Sequence, residues 1–77
     1  MEWLDTKSPR LILTGGARLL IENHLGIRAL MPDRVAIDTA SGALIILGHD
    51  LMLRAAADCA LMLSGDIKTI HIGGDDP

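Results

Sequence analysis

The sequence predicts an all-β domain of seven or eight short, mainly antiparallel strands that form a small sandwich or roll. Short apolar runs recur about every eight residues, residues that favour turns separate them, and several runs alternate between apolar and polar side chains. Because 49% of the 77 residues are hydrophobic, the chain has enough apolar mass to form a core and is not expected to be disordered.

Eight apolar runs give the expected strands in chain order. Each run is long enough for a strand, and most end at glycine, which allows positive φ, or at Asn, Asp or Pro, which favour tight turns. The runs are 10–14, 17–22, 26–30, 34–39, 43–47, 51–54, 60–63 and 67–72. The turn residues between them are, in order, Gly15-Gly16, Asn23-His24, Met31-Pro32-Asp33, Ser41-Gly42, Gly48-His49-Asp50 and Ser64-Gly65-Asp66.

The segment 51–63 has two interpretations. Its alanine-rich centre favours a helix by local propensity, and 13 residues suffice for a helix of average length. Against a helix, the apolar face would be nearly continuous, and Gly48 and Gly65 stand in matching contexts, since an Asp beside an aliphatic residue follows each of them. We therefore predict a strand, a turn and a strand.

Alternation within the runs sorts the apolar residues onto two faces of the sheet. The expected core residues are Leu11, Leu13, Leu19, Ile21, Val35, Ile37, Leu44, Ile46, Leu51, Leu53, Leu61, Leu63, Ile70 and Ile72. The opposite face is also apolar, with Ile12, Leu20, Ile45, Leu47 and Met62. Since a chain this short has little material to cover both faces, we expect a second chain to cover this one and the protein to form a homo-oligomer.

A single domain is expected at 9–72, with a lead-in at 1–8 and a flexible tail at 73–77. The first residues are acidic and lack the basic and apolar regions of a signal peptide. No run approaches the roughly 20 apolar residues of a membrane span. The expectation is a cytoplasmic protein that does not insert into a membrane.

Composition argues against several classes of function. Seven Lys/Arg against ten Asp/Glu give a net charge of −3, and Trp3 is the only aromatic residue, which disfavours nucleic-acid binding by basic patches and base stacking. Cys59 is the only cysteine, so an intrachain disulfide and a cysteine-built zinc site are excluded. Because no basic residue adjoins it in sequence, Cys59 is expected to be a buried structural thiol.

The candidate catalytic residues form no familiar constellation. His24, His49 and His71 lie 25 and 22 residues apart, a spacing that matches no usual metal-ligand pattern even with Glu22 or Asp50. Each histidine lies in or beside a turn or a strand end, where solvated or capping histidines are common. We therefore predict no enzymatic activity, no metal and no other cofactor.

The order of the segments nevertheless resembles a known family. The segments are Pro9–Gly15 (PRLILTG), Leu20–Ile27 (LIENHLGI), Val35–Thr39 (VAIDT), Ser41–Gly48 (SGALIILG), Leu51–Leu53 (LML) and Ser64–Ile70 (SGDIKTI). Together they resemble the YabP/YqfC-like sporulation proteins of endospore-forming Firmicutes, with more similarity to the YqfC type. The likeness covers about Pro9 to Ile72, and its most specific part is Ile21 to Ile27.

The resemblance implies a function without catalysis. Proteins of this family are made in the mother cell during spore formation, and the YqfC type is typically encoded beside a YqfD-type membrane protein, which is the implied partner. A location at the forespore outer membrane, as a peripheral protein, follows from that partner. The motif positions to test are Glu22, Asn23, His24 and Gly26, for which a turn held by Asn23 and Gly26 is favoured over a binding site.

Two alternatives come from other classes of protein. Glycine-separated strands at eight-residue spacing also suit a β-solenoid, which would make the protein a polymerising scaffold of the spore envelope. A small metal- or ligand-dependent enzyme would use His24, His49 and Glu22.

Overall fold

The computed structural model describes residues 8–73, which contain six β-strands and no helix. The strands are β1 (Arg10–Thr14), β2 (Arg18–Glu22), β3 (His24–Met31), β4 (Arg34–Thr39), β5 (Gly42–Ala57) and β6 (Ala60–Ile72). The predicted all-β class is confirmed, and 51–63 is a strand, a turn and a strand. The predicted lead-in and tail lie outside the described residues, apart from Ser8 and Gly73.

Within residues 8–73 there are six strands rather than the seven or eight predicted, because two predicted breaks do not end a strand. Residues 43–47 and 51–54 belong to the single 16-residue strand β5. Residues 60–63 and 67–72 likewise belong to the single 13-residue strand β6. The glycine-containing segments between these runs therefore shift the register of a strand and change its direction without ending it.

All six strands form one open, antiparallel sheet with the order β1-β2-β6-β5-β4-β3. The hairpin of β5 and β6 is central, and β2 and β4 pair with its outer sides. The predicted closed sandwich or roll is not confirmed. The solenoid alternative does not fit either, because consecutive strands of a solenoid stack in parallel layers.

The sheet bends sharply in the middle of β5 and β6. A straight strand with the length of β5 would span about 53 Å at about 3.3 Å per residue, whereas the longest dimension of the molecule is 39 Å. The register shifts at Leu47/Gly48 and again between His49 and Met52. Asp50 (φ 55°) and Gly65 (φ 136°) both have left-handed φ.

Two glycines allow the strands to approach each other at the bend. A Cβ atom on Gly48 would lie 2.0 Å from the Asp66 carbonyl oxygen, and one on Gly65 would lie 2.6 Å from the Asp50 carbonyl oxygen. Carbonyl groups of two hairpin turns accept hydrogen bonds from backbone amides at the bend. The Gly48 amide donates to the Asp33 carbonyl at 3.1 Å. The amide of Gly65 similarly donates to the Ala17 carbonyl at 3.0 Å. The bend thus keeps its backbone hydrogen bonds.

The bend divides the sheet into two halves that share one core. The first half contains β1, β2, residues 52–57 of β5 and residues 60–64 of β6. The second contains β3, β4, residues 42–47 of β5 and residues 67–72 of β6. Nine buried side chains, eight from the two halves and Leu51 from the bend between them, pack into one cluster: Leu19, Ile21, Val35, Ile37, Leu44, Ile46, Leu51, Leu61 and Leu63.

The predicted core is largely correct. All nine buried residues of the cluster were expected there, and Leu11, Leu53 and Ile70 are half-buried against it. The prediction is wrong for Leu13 and Ile72, since their side chains are 48% and 61% exposed. Leu13 lies in β1, at the end of the sheet, and Ile72 is the last residue of β6, so neither has a neighbouring strand on all sides.

Candidate interaction surface

An apolar stripe crosses the outer face of the first half, on the side opposite the core. It follows from the register: Ile12 is opposite Leu20, Leu20 is opposite Met62, and Met62 is opposite Ala55. Residues directly opposite each other in an antiparallel sheet point to the same face. Four neighbouring strands therefore contribute one side chain each to this apolar stripe.

The surface of the apolar stripe contains two shallow, open depressions. One depression of about 220 Å³ is lined by Ile12, Thr14, Arg18, Leu20 and Met62. A second, of about 230 Å³, is lined by Leu20, Ala55, Ala56, Ala57, Ala60, Leu61 and Met62. The small alanine side chains of β5 leave the space beside the larger Leu20 and Met62. A protruding side chain of another protein would fit such a surface better than an enclosed small molecule would.

Polar residues border the apolar stripe on both sides. On one side, the Arg10 Nε and Glu22 Oε1 atoms form an ion pair at 3.6 Å. On the other, a depression of about 370 Å³ is lined by Arg18, Arg54, Met62 and Ser64. The Arg54 Nε atom donates to Ser64 Oγ at 2.8 Å. Two guanidinium groups make this second border positively charged.

The predicted oligomer face is divided by the bend. Ile12, Leu20 and Met62 lie together in the apolar stripe, whereas Ile45 and Leu47 lie in the second half. Ile45 is only 1% exposed, so its side chain is not available for contact with another chain. Alternation assigned all five residues to one side of the sheet, but it carries no information about where the sheet bends.

The motif from Ile21 to Ile27 forms the corner between the two halves. Asn23 has a φ of 66°, and its amide donates to the Cys59 carbonyl at 2.6 Å. Its side-chain Nδ2 atom donates to the Ser8 carbonyl at 3.1 Å. The chain leaves β2 here and enters β3, which lies at the far edge of the sheet. The hydrogen bonds of Asn23 therefore fix the crossover connection between β2 and β3.

The other motif positions have separate surroundings. Glu22 forms the ion pair with Arg10. His24 is opposite Thr39, and its Nδ1 atom is buried without a hydrogen-bond partner in the part of the chain that the structure describes. Gly26 has no heavy atom within 4 Å of the place of a Cβ atom. Asn23 thus lies at the break between β2 and β3, whereas Gly26 lies within β3.

The three histidines lie on three different strands. His24 begins β3, His49 is opposite Asp66, and His71 is opposite Ile45. Within residues 8–73, no group of three or more His, Cys, Asp or Glu side chains is arranged to hold a metal ion. The enzyme alternative thus gains no support from the placement of its residues.

Cys59 is exposed, so the prediction of a buried thiol is wrong. Together with Asp58 it forms the turn between β5 and β6, and a turn side chain has no strand neighbours to cover it. Sequence reasoning also missed Ala55 and the border formed by Arg18, Arg54 and Ser64. Counting the β5–β6 register outward from the turn would have placed Ala55 opposite Met62.

None of the elements in residues 8–73 is a helix of the length and apolarity needed to cross a membrane. Comparison of the chain with protein-family models, with curated proteins and with solved structures finds no match.

Proposed function

We propose that this protein is a non-catalytic sporulation protein of the mother cell that acts through protein–protein contacts. It associates with itself and docks to a YqfD-type membrane protein at the forespore envelope. The observation that carries the contact role is the apolar stripe across the outer face of the first half.

The apolar stripe has the composition expected of a binding surface. Its centre is apolar, with Leu20 and Met62 half-buried and Ile12 40% exposed. Its borders contain the Arg10–Glu22 ion pair and the two arginines near Ser64. An apolar centre within a polar rim is the usual anatomy of a protein–protein interface. Docking of a partner would remove the exposed apolar area from water and so stabilise the complex.

The proposal of a non-catalytic role is supported by the surroundings of the polar motif residues. Glu22 is engaged with Arg10, and Asn23 holds the crossover from β2 to β3. His49 is opposite Asp66, near the bend, while His24 lies at the start of an edge strand. These residues therefore lie on different elements and have different neighbours.

The sporulation role rests on the resemblance of Pro9–Ile72 to YabP/YqfC-like proteins. Its most specific segment, Ile21–Ile27, forms the crossover that brings β3 to the far end of the sheet. A similar crossover is expected wherever the same segment occurs in the same order among apolar strands.

Co-purification with the membrane partner tests the docking role. The tagged chain is co-expressed with the YqfD-type protein, which is then solubilised in detergent and recovered through the tag. Met62→Lys places a charge in the centre of the apolar stripe, and we expect it to reduce recovery at least about tenfold, as the loss of a central interface contact does. Leu25→Lys is the control, because Leu25 is 72% exposed on β3, and recovery should be unchanged.

A deletion strain tests the biological role. Loss of the gene should lower the number of heat-resistant spores, and the wild-type gene should restore it while Met62→Lys does not. Normal sporulation of the deletion strain under all conditions would refute the sporulation role. Equal recovery of the membrane protein by both lysine variants would refute docking through the apolar stripe.

A polymerising scaffold is the second candidate, and one observation favours it. β1 and β3 lie at opposite edges of the sheet, and pairing of β1 with β3 of another copy is head-to-tail, which gives a filament when the rotation between copies does not close a ring. Light scattering separates the two functions, because a filament gives a mass that grows with concentration, whereas an adaptor gives a small discrete species.

A further inference from the structure

The two outermost strands of the sheet differ in regularity. β3 pairs with β4 through two register shifts, one between His24 and Gly26 and one between Ile27 and Ala29. Its Arg28 side chain forms an ion pair with Asp38. Bulges and charges of this kind protect an edge strand from pairing with another chain.

β1 has no bulge over Arg10–Thr14, and its only charged side chain in that range, Arg10, lies at the end of the strand and is paired with Glu22 of β2. Its five residues pair with β2 in an uninterrupted register, and it is the outermost strand on its side of the sheet within residues 8–73. Both of its faces are apolar at the centre, where Ile12 is 40% and Leu13 is 48% exposed. A regular, apolar edge is a template for another strand.

We infer that β1 pairs antiparallel with β1 of a second copy of this chain, about a two-fold axis at Ile12. This inference rests on the proposed function and identifies the surface used for self-association. In the pairing, Ile12 is opposite Ile12 of the second copy, Leu11 is opposite Leu13, and Arg10 is opposite Thr14. Isologous pairing of this type closes with two copies.

The register about Ile12 places compatible side chains opposite each other on both faces of the joined sheet. On the outer face the central pair is apolar, and the polar residues Arg10 and Thr14 lie at its two ends. On the core face, Leu11 of one copy meets Leu13 of the other, which covers the side chain that one copy leaves half exposed. Like charges directly opposite each other would destabilise the pairing. None are opposed in this register.

The pairing also doubles the apolar stripe. Each stripe ends at Ile12, so two copies form one continuous row from Ala55 through Met62, Leu20 and Ile12 into the same residues of the second copy. A membrane partner would then meet a surface twice as long. Because pairing over five residues is smaller than a standard interface, the dimer is expected to be weak and to dissociate on dilution.

The test uses charges at the two-fold axis. Ile12→Lys and Ile12→Glu each place like charges opposite each other in a homodimer, while an equimolar mixture places Lys opposite Glu. The masses of the wild type, both variants and the mixture are measured by sedimentation across a hundredfold dilution. Leu25→Lys serves as the control, since Leu25 lies on β3, at the other edge of the sheet, and is 72% exposed.

We expect a wild-type dimer, a dissociation constant raised at least about tenfold in each Ile12 variant, and a dimer again in the mixture. The Leu25→Lys control should dimerise like the wild type. A monomeric wild type, a dimer retained in both Ile12 variants, a mixture that stays monomeric, or a dimer lost in the control would overturn the inference.

The result is distinguishable from a failure of the proposed function. A monomer that still recovers the YqfD-type protein would overturn self-pairing alone. A dimer that fails to recover that protein would overturn docking alone.

Discussion

At the scale of single residues, Asn23 decides where the two halves of the sheet are connected. Its left-handed φ of 66° is one that Asn tolerates better than most residues. Its side chain also holds the Ser8 carbonyl at 3.1 Å. The sequence indicated a break at Asn23-His24, because Asn is common at tight turns. It did not indicate that the chain crosses there to the far end of the sheet, since that depends on strand order.

Substitution of Asn23 separates its conformational role from its hydrogen bond. Asn23→Ala loses both, and we expect the free energy of unfolding to fall by about 2–3 kcal/mol. Asn23→Gly loses only the hydrogen bond and should cost about 1 kcal/mol. Denaturant unfolding measures both values, and equal losses in the two variants would show that the φ of this residue is not the source of the cost.

At the scale of elements, β5 and β6 are each one strand with a bend, where the sequence predicted two strands with a break. The matching contexts of Gly48 and Gly65 are explained by their location, because each glycine makes room for the backbone of the opposite strand. Sequence alone does not distinguish a break from a bend at these positions, since glycine is common at both. The choice depends on whether Leu51 and Ile67 can reach the shared core, which is a property of the folded chain.

Alanine substitution at the bend tests this role. Gly48→Ala and Gly65→Ala each place a Cβ atom within 3 Å of a carbonyl oxygen, and we expect each to cost about 3 kcal/mol or more. The matched control is Gly26→Ala, which meets no atom within 4 Å and should cost less than about 0.5 kcal/mol. Thermal unfolding provides the comparison, and a bend variant as stable as Gly26→Ala would contradict the close approach.

At the scale of the whole molecule, one core joins both halves. The alternation of apolar residues was sufficient to identify the nine buried side chains, because each half supplies its own alternating strands. The same alternation did not separate the apolar stripe from Ile45, which lies in the second half and is buried. Core membership depends mainly on local pattern, whereas the outer surface depends on how the two halves are placed.

A shared core predicts that the two halves unfold together. Ile21→Val in β2 and Ile37→Val in β4 each remove one buried methyl group and should cost about 0.5–1.5 kcal/mol. Hydrogen exchange should show equal loss of protection in both halves for either variant, because β5 and β6 run through both. Ile72→Val, at a residue that is 61% exposed, should change little, and protection lost only in the half that carries the substitution would indicate two independent units.

The location of β6 between β2 and β5 also has a consequence for synthesis of the chain on the ribosome. β2 is made early and can pair with β1 at once, but its second partner, β6, begins only at residue 60. At about 5–20 residues per second, this interval of 38 residues lasts about 2–8 s. During that time Leu19 and Ile21 have no strand to pair with on one side, so the nascent chain keeps apolar surface accessible to chaperones until its last strand emerges.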